Sequence, residues 1–250
     1  MTIGKRCFIV LILGLAVCSA YAQEQTLVSG WASKAPVLDG KLDAGEWKEA
    51  ARINFDGSDA IRPGVVGPDS GTIGGPNKDG FQPAQDSSVI IYVMNDASNL
   101  YVAIDATDDI LMFDKADVWR NDSAEIRVDG NFSRKSVQEG TALGYDVCVR
   151  GDGRAVANAP SGADLETKAA VKADGTGWIV ELRQGTAGFA AKIGFDVAID
   201  DRDTPDQDSR DDQYRWNGAT DVAYQDESMW GILTLAAAAS GLVPERWELY

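Results

Sequence analysis

Apolar and polar side chains alternate with a period of two in several short segments beyond Gly80. The clearest segments are 124–128, 145–150, 178–183 and 193–200. This period is typical of β-strands that turn one face towards a core and the other towards water. We therefore predict four strands here, each with a solvated polar face.

Two polar connections predict hairpins between strands. One joins the apolar segments 89–94 and 100–104, and the other covers 174–177, where Asp and Gly predominate. At least seven short strands and the absence of a long amphipathic helix indicate an all-β fold, an antiparallel β-sandwich of the jelly-roll or immunoglobulin-like type. The segment 44–51 predicts a single brief helical turn.

The N-terminal segment has the pattern of a secretory signal peptide. Two basic residues precede an apolar run over 7–17, and residues 20–22 end it with the small residues that a signal peptidase accepts. We predict a signal peptide over 1–22 and export to the periplasm or the extracellular space, with a lipidated N-terminus at Cys18 as the alternative. No later stretch is apolar for about 18 residues, so no integral membrane span is predicted.

The mature chain is expected to form one domain with a loop insertion and a tail. Seven glycines and three prolines between residues 56 and 80 indicate a long irregular loop. We place the domain at 23–236 and a C-terminal tail at 237–250. Cys148 is the cysteine that remains after removal of the signal peptide, so the domain has no internal disulfide.

The charge and the missing residue types restrict the chemistry. The chain has no histidine, which excludes His-dependent nucleophiles and His-ligated zinc or haem. With 23 basic against 39 acidic residues its formal charge is −16, so nucleic acids and anionic lipid surfaces would be repelled. Carbohydrates and metal ions remain as partners.

Seven aspartates crowd into the thirteen positions 200–212. Their charges repel one another unless a cation or solvent screens them, and carboxylate oxygens at irregular spacing suit calcium. We predict a calcium site with Asp201, Asp203 and Asp206 as ligands. The alternative is a solvated acidic loop.

Three stretches, in order, resemble the family 9 carbohydrate-binding modules. They are A-P-V-L-D-G-K-L-D at 35–43 with E-W at 46–47; 92–108 with W-R-N-D-S-A-E-I-R-V-D at 119–129; and 193–201 with R-W at 215–216 and W-G-I-L-T-L at 230–235. The second is similar to the family's W-x-x-D-S-V-E-I-F-I-D. The resemblance covers residues 28–236.

The resemblance implies a sandwich with bound calcium and a slot in which two aromatic rings grip the terminal sugar of a chain. By position, the rings are Trp119 and Tyr224, and Glu125 is the polar anchor. Aromatic faces remove the C–H faces of a sugar from water, and a carboxylate accepts hydrogen bonds from its hydroxyls. Trp47, Trp178 and Trp230, by contrast, are expected in the core.

The chain also departs from the family. Asp146 and Cys148 stand where studied members have an arginine and an asparagine, and Ala198 replaces a glutamine. The preference for a particular sugar is therefore open.

We expect a secreted, non-catalytic module that binds carbohydrate chain ends and is stabilised by calcium. Such modules are associated with polysaccharide-degrading enzymes such as xylanases. Two alternatives are a calcium-stabilised surface or adhesion sandwich that has lost sugar binding and a glycoside hydrolase that uses two carboxylates. A third is a haem protein of the related DOMON type, for which Met94, Met112 and Met229 are the available ligands.

Overall fold

The computed structural model describes residues 24–43, 45–56, 87–135, 143–158, 163–205, 208, 210–217 and 221–238. The predicted signal peptide, all but residue 56 of the predicted loop insertion, the calcium candidate Asp206, and residues 239–250 lie outside them. The described strands are β1 (Thr26–Val28), β2 (Gly30–Trp31), β3 (Ala51–Asp56), β4 (Ser87–Asn95), β5 (Asn99–Asp108), β6 (Ser123–Asp129), β7 (Gly144–Arg150), β8 (Ala155–Asn158), β9 (Leu165–Val171), β10 (Gly177–Gly185), β11 (Lys192–Asp201), β12 (Asp212–Arg215) and β13 (Gly231–Thr234).

These strands form two sheets. In the first sheet the order is β1-β13-β11-β6-β7-β8, with β12 paired to β11; in the second it is β2-β4-β5-β10-β9, with β3 paired to β4. The pairings β1–β13 and β2–β4 are parallel, and the other described pairings are antiparallel. The all-β sandwich is confirmed, although the two parallel pairings make both sheets mixed.

Both predicted hairpins are present. Strands β4 and β5 pair along their whole length, and the Asp96 carboxylate between them accepts hydrogen bonds from the backbone of Ser98 and Asn99. Strands β9 and β10 are joined through Asp174, whose carboxylate accepts a hydrogen bond from the backbone of Thr176. Gly177 follows with a φ of +137°, where a Cβ would lie 2.0 Å from the Ala106 carbonyl oxygen. Glycine is therefore required there.

Side chains from the two sheets meet in one core. Ile91, Val102 and Val180 of the second sheet pack with Ile126 and Val197 of the first, and all five are fully buried. Removing one such aliphatic side chain from water contributes about 1.5–3 kcal/mol. The core thus holds the sheets together by apolar burial.

The three tryptophans expected in the core are buried. Trp178 lies between the sheets, and Trp47 belongs to a smaller cluster with Met94 and Tyr101. Trp230 has no exposed surface. This prediction is confirmed.

Two local predictions are wrong. Every residue of β6 is buried, including Glu125 and Arg127, and every residue of β11 after Lys192 is buried too, so the polar faces of these two strands are covered rather than solvated. Residues 45–50 form turns, with hydrogen bonds from Glu46 to Asp43 and from Ala50 to Trp47, instead of a helical turn, and Ala51 already begins β3.

The helices of the described residues are three short 3-10 turns: Val118–Arg120, Asp221–Gln225 and Glu227–Met229. In this part of the chain, no helix has the length and apolar character needed to cross a bilayer.

Replacing the buried Ile126 by alanine is expected to lower the free energy of unfolding by about 2–5 kcal/mol, because a cavity remains between the sheets. Ile90, which is 38% exposed on β4, is the matched control, and its alanine variant should lose less than about 1 kcal/mol. Urea unfolding measures both. Equal losses would contradict the location of the core between the sheets.

Candidate functional site

The register of the first sheet places polar side chains in rows on its outer face. Glu125 on β6 pairs with Cys148 on β7 and with Ala198 on β11, and Cys148 pairs with Val156 on β8. Paired residues project to the same face, opposite to that of the core residues Ala124 and Ile126. The pleat therefore gathers these side chains on the side away from the second sheet.

The next row of the same face carries charge. Arg127 on β6 pairs with Asp146 on β7 and with Asp196 on β11. Arg127 and Asp196 have no exposed surface. Together the two rows form the floor of a cavity.

This cavity has a volume of about 500 Å³. Trp119 enters it from the 3-10 turn Val118–Arg120, Arg210 from the segment before β12, and Tyr224 from the 3-10 turn Asp221–Gln225. The residues that line it are Ala116, Asp117, Val118, Trp119, Glu125, Arg127, Asp146, Cys148, Arg154, Val156, Arg210, Gln213, Arg215 and Tyr224. We refer to it as the arginine cavity, because four of these residues are arginines.

The three residues that the sequence indicates for sugar contact all line the arginine cavity. Trp119 is half-buried, Tyr224 is 44% exposed and Glu125 is 6% exposed. Asp146 and Cys148, the departures from the family pattern, line it as well, whereas Ala198 does not. The structure thus brings together residues that are far apart in the sequence.

Two guanidinium groups lie over the ring of Trp119. The Cζ atom of Arg120 is 4.7 Å from the ring centroid, and that of Arg210 is 5.1 Å away. Such cation–π contacts contribute about 0.5–1 kcal/mol where solvent is near. Arg210 lines the cavity and Arg120 does not, so of the two guanidinium groups only that of Arg210 lies on the cavity side.

The carboxylate of Glu125 is held by donors from the floor. It accepts hydrogen bonds from the Arg127 guanidinium and, at 3.1 Å, from Nε2 of Gln213, and the Arg210 guanidinium lies 3.7 Å away. Burial opposes its ionisation, but the charges of Arg127, Arg210 and Arg215 outweigh burial and lower the pKa of Glu125. Glu125 is therefore ionised and surrounded by positive charge.

Gln213 connects Glu125 to the rest of the network. Its Nε2 donates to Asp200 at 2.6 Å, and its Oε1 accepts from Nε of Arg215 at 2.6 Å. Burial, with the charge of Glu125, raises the pKa of Asp200 well above its usual value. Burial and the same glutamate also raise the pKa of the Cys148 thiol, so this cysteine is kept in its unreactive protonated form.

Asp146 lies beside Arg127 but does not form a hydrogen bond with it. Its Oδ1 is 3.8 Å from Nε of Arg127, beyond hydrogen-bond distance. Burial and the charge of Glu125 raise the pKa of Asp146 to about 7, although Arg127 and Arg215 act in the opposite direction.

A second group of carboxylates lies where the two sheets meet at the ends of β5 and β11. Oxygens of Asp108, Asp201 and Asp203 all lie within 4.8 Å of one another. Burial and the charges of Asp108 and Asp203 raise the pKa of the neighbouring Asp122. Three hard oxygen ligands so close together fit a calcium ion. Asp201 and Asp203 belong to the predicted ligand set, Asp206 lies outside the described residues, and Asp108 is an addition.

Glu125, Cys148 and Asp200 form another close group. It mixes a thiol with two carboxylates that already accept hydrogen bonds from Gln213. This donor set does not suit calcium, which prefers oxygen ligands.

Comparison with known proteins identifies the family of this chain. The model of the carbohydrate family 9 binding domain-like family matches residues 77–238, more than half of the chain. The chain belongs to this family, and its class is therefore that of the carbohydrate-binding modules.

Solved structures show the same fold. A family 9 module from Caldicellulosiruptor kristjanssonii in complex with cellotriose superposes with a TM-score of 0.67 at 18% identity, covering 88% of this chain and 97% of that one. The complex of a family 9 module from the same organism with glucose gives 0.66 at 18% identity, covering 88% and 100%. No protein of curated function matches the sequence.

Several cavity residues were missed by the sequence analysis. Arg127 was interpreted as a solvated strand residue, and Arg154, Arg210 and Gln213 have no pattern that distinguishes them from other polar residues. Asp108 likewise ends a strand far from the acidic stretch. A signal for Arg127 did exist, since it stands where the family motif has phenylalanine.

Replacing Asp146 by asparagine should change the pH dependence of stability. The folded protein binds the proton of Asp146 more tightly than the unfolded chain does, because its pKa rises from 3.8 to about 7. The stability that this proton contributes is therefore lost as the pH rises from about 4 to about 7. The variant does not titrate here, so its free energy of unfolding relative to the wild type should rise over this range.

Urea unfolding at about pH 5 and at about pH 8 measures this difference. Asp174→Asn is the control, because hydrogen bonds from Thr176 lower the pKa of Asp174 and its titration lies below this range. If the difference in the free energy of unfolding between Asp146→Asn and the wild type is the same at both pH values, the raised pKa of Asp146 is contradicted.

Proposed function

We propose that the protein is a secreted, non-catalytic module that holds a sugar ring against Trp119 and Tyr224 in the arginine cavity and is stabilised by calcium. The observation that carries the proposal is that both aromatic residues and Glu125 line one cavity on the outer face of the first sheet. Membership of the carbohydrate-binding family supports the ligand class. The signal peptide that the sequence predicts over 1–22 is the basis for proposing secretion.

The cavity offers the two kinds of surface that a sugar needs. The rings of Trp119 and Tyr224 can cover the C–H faces, with about 25 cal/mol gained for each Å² of apolar area removed from water. The guanidinium groups of Arg210 and Arg215 line the same cavity and can donate hydrogen bonds to hydroxyl oxygens. Glu125 already accepts hydrogen bonds from Arg127 and Gln213, so we assign it the role of positioning these two side chains as well as contacting the sugar.

A glycoside hydrolase is the second candidate. The observation in its favour is that Glu125 and Asp146 line one cavity with pKa values shifted in opposite directions, as an ionised carboxylate and a general acid require. Against it, Glu125 is 6% exposed and bound to Arg127 and Gln213. Release of reducing sugar from polysaccharide by the purified protein, lost in Asp146→Asn, would favour this candidate.

The calcium proposal rests on Asp108, Asp201 and Asp203. Asp108 ends β5 of the second sheet and Asp201 ends β11 of the first, so an ion held by both would link the sheets. It would also neutralise the mutual repulsion of the three carboxylates.

Replacing Trp119 by alanine is expected to weaken binding of cellotriose, the ligand of one structural relative, by about tenfold or more, because the stacking surface is lost. Trp31→Ala is the matched control, since Trp31 is also half-buried but lies on β2 of the second sheet. Isothermal titration calorimetry measures both. If Trp119→Ala binds cellotriose as tightly as Trp31→Ala does, the stacking role is contradicted. If the wild type binds none of the sugars tested, the result favours the surface or adhesion alternative.

Millimolar calcium is expected to raise the melting temperature, because an ion that binds the folded state alone stabilises it by about 2.7 kcal/mol at a free concentration about 100 times Kd. Asp203→Asn should abolish most of the rise. Glu166→Gln is the control, because Glu166 is exposed on β9, and the rise in melting temperature should remain in this variant. Identical melting curves of the wild type in calcium and in chelator would remove the calcium proposal.

A further inference from the structure

The arginine cavity differs in charge from the rest of the molecule. The chain carries a formal charge of −16, yet among the described residues four arginines line the cavity against three carboxylates, Asp117, Glu125 and Asp146. Such a local reversal of sign in a concave site concentrates ligands of the opposite charge.

Arg127 provides donors at the bottom of the cavity. Its side chain is 1% exposed, and its Nε and Nη1 atoms have no hydrogen-bond partner among the described residues. Asp146 and Asp196 lie 3.8 and 3.9 Å from these two atoms, too far for hydrogen bonds. A buried guanidinium that lines a cavity and keeps unused N–H groups is suited to an incoming acceptor.

Arg154 provides a second donor at the rim. It lies in the turn that connects β7 to β8 and is exposed. Within the described ranges its guanidinium has no ion pair or hydrogen bond, in contrast to Arg150 in the same turn, which is paired with Asp152. Its charge is therefore available to a ligand at the cost of little reorganisation.

The acceptor oxygens of Glu125 and Gln213 are used, whereas Oδ1 of Asp146 has no hydrogen-bond partner among the described residues. Both oxygens of Glu125 accept hydrogen bonds from Arg127 and Gln213, and Gln213 Oε1 accepts from Arg215. A ligand in the cavity thus meets more donors than acceptors. A neutral sugar hydroxyl has to share its donor and acceptor roles, whereas a carboxylate accepts only and binds a guanidinium with two parallel hydrogen bonds.

We propose that the cavity prefers a sugar with a carboxylate group, a hexuronate, whose ring contacts Trp119 and Tyr224 and whose carboxylate is bound by Arg154, with the buried charge of Arg127 adding to the attraction. This inference rests on the proposed function, because it assumes that the cavity binds sugar. The negative charge of the whole chain disfavours long polyuronates and favours a single charged ring at a chain end.

The test compares two ligands that differ at one carbon. Methyl glucuronide has a carboxylate where methyl glucoside has a hydroxymethyl group. Isothermal titration calorimetry should give an affinity for the glucuronide at least about tenfold higher, as expected for a charge-assisted bond. The preference should fall by a similar factor in Arg154→Gln, and an unchanged preference in this variant would overturn the assignment to Arg154. A remaining preference should be lost when Arg127→Gln is added.

Arg52→Gln is the control, because Arg52 is also exposed but lies on β3 of the second sheet. It removes the same charge and should leave the preference unchanged. Melting curves establish that Arg154→Gln is folded, and the single variant at this exposed position keeps the test valid if Arg127→Gln does not fold.

The outcomes separate the two proposals. Equal or tighter binding of the glucoside would overturn the preference for a carboxylate and leave carbohydrate binding intact. A preference that falls equally in Arg52→Gln would assign it to net charge and would also overturn the inference. Binding of neither sugar, nor of cellotriose, would overturn the proposed function itself.

Discussion

Charged groups on a covered sheet face must find partners, because an unpaired buried charge costs several kcal/mol. Arg127 is the centre of this compensation: carboxylates from its own strand and from both neighbouring strands, Glu125, Asp146 and Asp196, lie within 4 Å of its guanidinium. Because the four residues are fixed by the strand register, the floor of the cavity is as rigid as the sheet. The floor of the cavity thus depends on this ionic layer, whereas Trp119 and Tyr224 of its wall come from 3-10 turns.

The strands could be predicted from the sequence because side-chain alternation depends on the local backbone alone. Ile126 and Val128 do face the core, and Glu125 and Arg127 do face the opposite side. The prediction that this polar face is solvated was wrong, since its cover comes from segments near Trp119, Arg210 and Tyr224. Whether a polar face is wet depends on these distant segments, for which the strand itself carries no signal.

Some candidate site residues could be predicted from the sequence and others could not. Trp119 and Tyr224 were found by their spacing from motif residues, a signal that survives at low identity. Asp108 and Arg154 carry no such signal, because the chain has 39 acidic and 23 basic residues and most of these are ordinary surface groups. Their significance depends on which side chains the fold brings near them. Asp108 lies beside Asp201 because the two sheets pack against each other.

Stacking and polar recognition are linked through one side chain in this cavity. Arg210 lies over the ring of Trp119, and its Nη1 is 3.2 Å from Asp200 and 3.7 Å from Glu125. A sugar that covers the cavity side of Trp119 competes with this guanidinium for the ring. If Arg210 moves, the positive charge near Glu125 changes, and so does the strength of that carboxylate as an acceptor. In the proposed sugar complex, the energetic contributions of the aromatic wall and of the ionic floor are therefore not additive.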